Sequence, residues 1–135
     1  MKPELKYTFE EAIASRNVDT TTVRHVEAAR QLYDALYHKR FSFDNEPILT
    51  VRKFAGSALP TNPTEHLLRP NTATGEMLDI ADGLRALKEL GFQKDIDMLL
   101  IPSAIEQARK FGCLPMSVNV AYDSLEHADF RNGMV

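Results

Sequence analysis

Two short stretches of this 135-residue chain carry side chains that could do chemistry. The first is Glu65-His66-Leu67-Leu68-Arg69. Read as a strand, it places Glu65, Leu67 and Arg69 on one face. A carboxylate and a guanidinium on the same face can hold a divalent cation and a phosphate side by side. The second is Ser117-Val118-Asn119-Val120, in which polar and apolar residues alternate. An inward amide from Asn119, at the end of a buried strand, is a neutral oxygen donor for a metal. Spacing alone leaves a plainer reading open: Glu65 and Arg69 as solvated charges, and Asn119 as the cap of the following helix. The common signatures of nucleotide folds, metalloproteases and nucleophile elbows (GxGxxG, GxxxxGK[ST], HExxH, GxSxG, CxxC) do not occur. His25, His38, His66 and His127 show no metal-ligand spacing among themselves and read as helix-surface or loop residues.

The elements that must position these groups follow from periodicity. Thr8-Phe9-Glu10-Glu11 fits a capping box that opens a short helix over about 9–16. Asn17–Thr22 reads as a break, with Thr21 or Thr22 capping a second helix that runs to about Arg40. That helix buries Val26, Ala29, Tyr33, Leu36 and Tyr37, and keeps Glu27, Gln31, Asp34 and His38 wet. Phe41–Val51 changes to strand character, with Pro47 restricting it to a sheet edge or an irregular stretch. Gly56, Pro60 and Pro63 mark a hairpin connection, and Glu65–Arg69 is the second strand. A helix over about 76–90 buries Met77, Ile80, Ala81, Leu84 and Leu87 and stops at Gly91. Another, capped by Asp95, spans about 96–111 and must kink or restart at Pro102. Its stretch from Ile96 to Ile101 is apolar on nearly every side except at Asp97, and so needs cover on more than one face. Met116–Val120 reads as a third strand, followed by a short helix near 122–128.

Composition sets the outer bounds. Hydrophobic residues make up 44% of the chain and charged residues 26%, as in an ordinary soluble domain. A net charge of −3 argues against a DNA or RNA footprint. No apolar run approaches the roughly 20 residues of a membrane helix, and no secretory signal is visible. The single cysteine, Cys113, fits a reducing, cytoplasmic setting. Helices alternating with short strands give an α/β class.

From about Ala29 to Phe130 the sequence resembles the first half of an EAL domain, the bacterial cyclic di-GMP phosphodiesterase fold. That family reads as a helix, FxxxxQPI, a hairpin, EALLRW, two helices, VNLS, and a short helix ending in DF. Here Phe41–Asn45 precede Glu46-Pro47-Ile48. They are followed by Glu65-His66-Leu67-Leu68-Arg69-Pro70, then Val118-Asn119-Val120-Ala121, then Asp129-Phe130. The resemblance implies a partial, half TIM-barrel-like fold beginning with a helix and a β-hairpin. Residues 1–20 would be an N-terminal extension and 21–135 the truncated EAL-like domain.

By position, the resemblance makes Glu65 and Asn119 metal ligands for Mg2+ or Mn2+. It makes Arg69 a phosphate contact and Leu67 a lining residue. Glu46 replaces a pocket glutamine and brings negative charge toward a dianionic dinucleotide. His66, Pro70 and Val120-Ala121 also depart from the family pattern. The family's paired aspartates, lysine and further glutamates fall in a second half that has no counterpart in these 135 residues. No catalytic residue is therefore assigned, and the metal site is vestigial. The expectation is a degenerate EAL-like protein without hydrolysis of its own. It would act as a homo-oligomer or through a protein partner that completes the sheet. The alternative is a metal-dependent cyclic di-GMP phosphodiesterase, or a cyclic di-GMP binder, once the missing half is supplied.

Overall fold

A computed structural model describes residues 8–48, 64–110 and 116–133. Helix α1 (Phe9–Arg16) opens on the expected capping box: the Glu11 amide donates to the Thr8 hydroxyl, and the Thr8 amide donates to the Glu11 carboxylate. It stops at Asn17, whose left-handed backbone has φ 52°. Helix α2 (Val26–Tyr37) starts differently from the expectation of a threonine cap. Its N-cap is His25, left-handed and without a side-chain bond. The Thr21 amide and hydroxyl instead both donate to the Asp19 carboxylate, which holds that carboxyl below its ordinary range. The break thus consumes the threonine in its own turn. The wet face of α2 is as expected, but the helix ends at Tyr37, not Arg40, and Tyr37 is 37% exposed at that end.

Strand β1 (Phe41–Pro47) pairs antiparallel with β2 (Thr64–Pro70), and β3 (Met116–Val118) pairs parallel on the other side of β2. Among the described residues β1 is therefore an edge strand, where Pro47's missing donor is tolerated. The hairpin connection, including Gly56, Pro60 and Pro63, and the stretch around Gly112 and Cys113 lie outside the described residues. The parallel β2–β3 pair requires a crossover. Helices α3 (Ile80–Glu89) and α4 (Gln93–Lys110) supply it. Two short helices close the described chain, α5 (Tyr122–Leu125) and α6 (Ala128–Gly133).

α3 begins four residues later than its apolar pattern indicates. The Asp79 side chain caps it by accepting from the Ala81 amide at 3.0 Å. Residues before it are tied into a loop: Leu78 donates to Pro70, Glu76 to the Thr72 hydroxyl, and Met77 bridges Asn71. Met77 is consequently 69% exposed and not part of the core. α4 starts at Gln93, not after an Asp95 cap, and runs through Pro102 as one helix.

The main core joins α1, α2, α3 and the start of α4 around Phe92, which is fully buried. Burial also raises the Tyr33 phenol above its ordinary range. α2 and α3 approach closely at Gly83, where a Cβ would lie 3.0 Å from the Ala28 carbonyl and 3.1 Å from Leu32. Phe41, Phe43 and Leu68 pack against this cluster, so one face of the sheet is turned toward the helices.

Candidate site on the open face of the sheet

Strand alternation divides β2, whose buried residues are His66 and Pro70. His66, Leu68 and Pro70 turn toward the helices. Glu65, Leu67 and Arg69 share the opposite face. The antiparallel register sets Glu46 opposite Glu65, Asp44 opposite Leu67 and Ser42 opposite Arg69. On β1 these three partners are all exposed, so the face is open to solvent in the described residues.

The two candidate metal donors meet on this face. Ser117 pairs with Glu65 in parallel register. Asn119, two residues beyond, leans back over β2, and its Nδ2 donates to Glu65 Oε1 at 3.0 Å. Leu67 lies between this pair and Arg69. Arg69 Nε donates to Asp44 Oδ2 at 2.8 Å, and its Nη1 to the Leu68 carbonyl at 3.2 Å. Four residues of strand separate Glu65 from Arg69, about 13 Å at the usual rise.

Glu46 faces Glu65 directly across the strands, a like-charge pair that a sheet ordinarily avoids. With the Asn119 amide oxygen, these groups are all hard oxygen donors, the chemistry that suits Mg2+ or Mn2+. Their number does not suffice. A hard divalent cation takes about six oxygens, and the described residues contain no cluster of three or more His, Cys, Asp or Glu side chains arranged to hold one. The donor types fit a divalent cation, and the remaining ligands would come from outside the described residues.

Two features of the helix-facing side escaped the sequence reading. His66 is 5% exposed, not a surface histidine, and neither ring nitrogen has a hydrogen-bond partner. It tilts against Phe43 at 6.0 Å beside a cavity of about 320 Å³ between the sheet and α3–α4. Strand alternation already signalled its inward direction. An unpaired buried imidazole costs the fold, so His66→Leu is expected to raise stability by about 1–2 kcal/mol. Urea unfolding measures this, and a midpoint at or below wild type would show that the ring is satisfied by water. The second feature is Asp97, 4% exposed. The sequence marked it as the one polar residue of the Ile96–Ile101 stretch, and the structure makes it one of the most buried. Asp44, the partner that aims Arg69, also went unnoticed because only the β1–β2 register reveals it.

No protein-family profile and no curated protein matches this sequence. Solved structures do match. The FimX EAL domain from Pseudomonas aeruginosa, solved bound to c-di-GMP, aligns with a TM-score of 0.64 at 23% identity, over 82% of this chain and 43% of that one. The Xanthomonas citri FimX EAL domain, in complex with c-di-GMP, aligns with a TM-score of 0.60 at 19% identity, over 93% of this chain and 43% of that one. The chain thus has the fold of part of an EAL domain, with a mixed three-stranded sheet that opens on a helix and a hairpin. It spans 43% of the length of these solved domains.

Proposed function

We propose that this chain supplies one wall of a cyclic di-GMP site of the EAL kind and works only when further barrel wall is brought to it. The Glu65–Asn119 contact carries this reading. One donor on β2 and one just past the end of β3, far apart in sequence, converge on the open face, with Arg69 held on the same face by Asp44. Arg69 would take a phosphate of the dinucleotide, Leu67 would lie beneath the ligand, and Glu46 would stand at the rim. Mg2+ or Mn2+, when bound, would add the positive charge that polarises a phosphate. Glu65 and Asn119 would hold only part of its shell, so the chain alone is assigned binding and assembly, with no hydrolysis. The open sheet edges are where further barrel strands would pair, from a second copy, a partner chain or sequence beyond these 135 residues. Phosphodiesterase activity is the second reading, favoured by the retention of both metal donors. Among the described residues no helix is long and apolar enough to cross a membrane. The single cysteine, Cys113, is the ground on which we assign this role to the reducing cytoplasm.

Calorimetry with cyclic di-GMP, with and without Mn2+, tests the site, and sedimentation at micromolar concentration tests the assembly. Binding of the dinucleotide and a species larger than one chain are expected. A folded monomer that binds no dinucleotide at millimolar concentration would remove the proposal. Turnover abolished by Glu65→Gln would favour the phosphodiesterase reading. Glu46 adds a sharper expectation. Its carboxylate opposes both Glu65 and a dianionic ligand. Glu46→Gln should therefore tighten cyclic di-GMP binding about tenfold, equivalent to about 1.4 kcal/mol of relieved repulsion. It should also stabilise the sheet by about 0.5 kcal/mol. Weaker binding by this variant would mean that the carboxylate itself contacts the ligand.

A further inference from the structure

Asp97 is a buried carboxylate in α4 for which no Lys, Arg or His partner is found among the described residues. Neutral donors surround it. Oδ2 accepts from the Ala121 amide at 3.0 Å and from the Ser124 hydroxyl at 2.6 Å, while Oδ1 accepts from Gln93 Nε2 at 3.2 Å. Burying a carboxylate among neutral groups carries a desolvation penalty even when each oxygen is bonded. Capping the four-residue α5 does not require it. Ala121, the N-cap, has no side-chain bond, and a serine or asparagine there would cap locally. What Asp97 achieves, and a local cap would not, is to fasten the turn after β3 to an 18-residue helix.

That turn carries Asn119. The β2–β3 ladder ends at the His66–Val118 pair, so Asn119 and Val120 lie beyond strand pairing. Asn119 is held at its amide by Glu65 and, two residues on, through the backbone at Ala121 by Asp97. We propose that Asp97 is a positioning residue for the Glu65–Asn119 pair: by gripping the Ala121 amide and the Ser124 hydroxyl, it holds the Asn119 carboxamide over Glu65. What the pair binds rests on the function proposed above; the positioning itself does not. An outer group that orients a ligand residue in this way typically changes metal affinity by about 10–100-fold when removed.

The test uses the full chain and reads the Asn119 side-chain amide by NMR. In the wild type this amide is expected to be shifted and to exchange slowly with water, as a bonded donor does. Asp97→Asn and Ser124→Ala should each speed its exchange at least about tenfold, the worth of a lost hydrogen bond to a charged group. Leu90→Ala, a core variant in the α1–α3 cluster, should lower overall stability and leave this amide at its wild-type rate. If Asp97→Asn fails to fold, Ser124→Ala carries the result. Wild-type exchange in Ser124→Ala, or equal loss of protection in Leu90→Ala, overturns the proposal. A second arm adds Mn2+. Broadening of Asn119 and Glu65 signals is expected in the wild type, at about tenfold higher Mn2+ in Ser124→Ala. No broadening in the wild type would remove the cation reading of the site and leave the positioning result to stand or fall on the amide exchange.

Discussion

Replacing Phe92 with alanine is expected to lower unfolding stability by about 3–5 kcal/mol, the range for deleting a fully buried aromatic side chain. The ring is fully buried. Its centroid lies 5.8 Å from that of Phe9 in α1 and 5.4 Å from that of Tyr33 in α2, and the Arg16 guanidinium sits over it at 3.9 Å. Phe92 itself occupies the α3–α4 corner, set by Gly91 at φ 83°. One side chain therefore binds three helices to one another. α1 depends on it most, since Phe9 and Arg16 both lie on α1 and both contact this ring. Truncation leaves a cavity that the surrounding helices close only in part. Phe92→Leu, which keeps most of the volume, should cost roughly a third as much. Equilibrium urea unfolding measures both. A Phe92→Ala loss below about 1 kcal/mol would show that α1 is not docked on this cluster. β2 should keep its pairing with β1 in a variant that still folds, because that ladder does not include the ring.

The contrast between Phe92 and the site explains how much could be read beforehand. Elements fixed by local chemistry were legible. The α1 capping box uses groups three residues apart, and Gly91 stops α3 through its own backbone. The face shared by Glu65, Leu67 and Arg69 follows from strand alternation alone. Starts and ends set by competition were less legible. Thr21 was a good cap candidate, but Asp19 two residues earlier offered its hydroxyl and amide a nearer acceptor. Met77 had helical spacing, yet the Asp79 cap began the helix beyond it. Pairings across the fold were not legible at all. Nothing local to Asp97 indicates that Ala121 and Ser124 will meet it, and nothing local to Arg69 selects Asp44. The convergence of Glu65 and Asn119 belongs to this last class. Residue types marked both as donors, while only the β2–β3 register brings them together.

The open face also separates what stabilises the fold from what would bind a ligand. The helix-facing side holds Leu68 against the core and keeps Pro70 buried, whereas Glu65, Arg69 and Asn119 are not part of that packing. Such groups are free to be selected for binding, and their replacement should leave the fold standing. The like-charged Glu46–Glu65 pair works against the sheet and persists on its exposed side, where solvent screens it.

If this chain binds cyclic di-GMP as proposed, Arg69→Ala is expected to weaken that binding by about 10–100-fold while leaving stability nearly unchanged. The first figure is the worth of a charge-assisted bond to a phosphate. The second follows from exposure. The Arg69 and Asp44 side chains are 32% and 60% exposed, and an ion pair of that kind contributes about 0–1 kcal/mol. Asp44 nonetheless matters for direction. By accepting from Nε it leaves the terminal nitrogens of the guanidinium to face a phosphate, although Nη1 also reaches the Leu68 carbonyl. Arg69→Lys should recover little, because a single ammonium cannot bond Asp44 and a phosphate in the same fork. Asp44→Ala removes one negative charge from the face but frees the guanidinium to wander. The two effects oppose, so its change should be smaller than that of Arg69→Ala. Calorimetry at low and moderate salt distinguishes them: the Arg69→Ala loss should shrink as salt rises, since part of it is Coulombic. An Arg69→Ala chain that melts like the wild type and binds the dinucleotide equally well would show that the phosphate is held elsewhere, and the proposed wall would lose its anion-binding end.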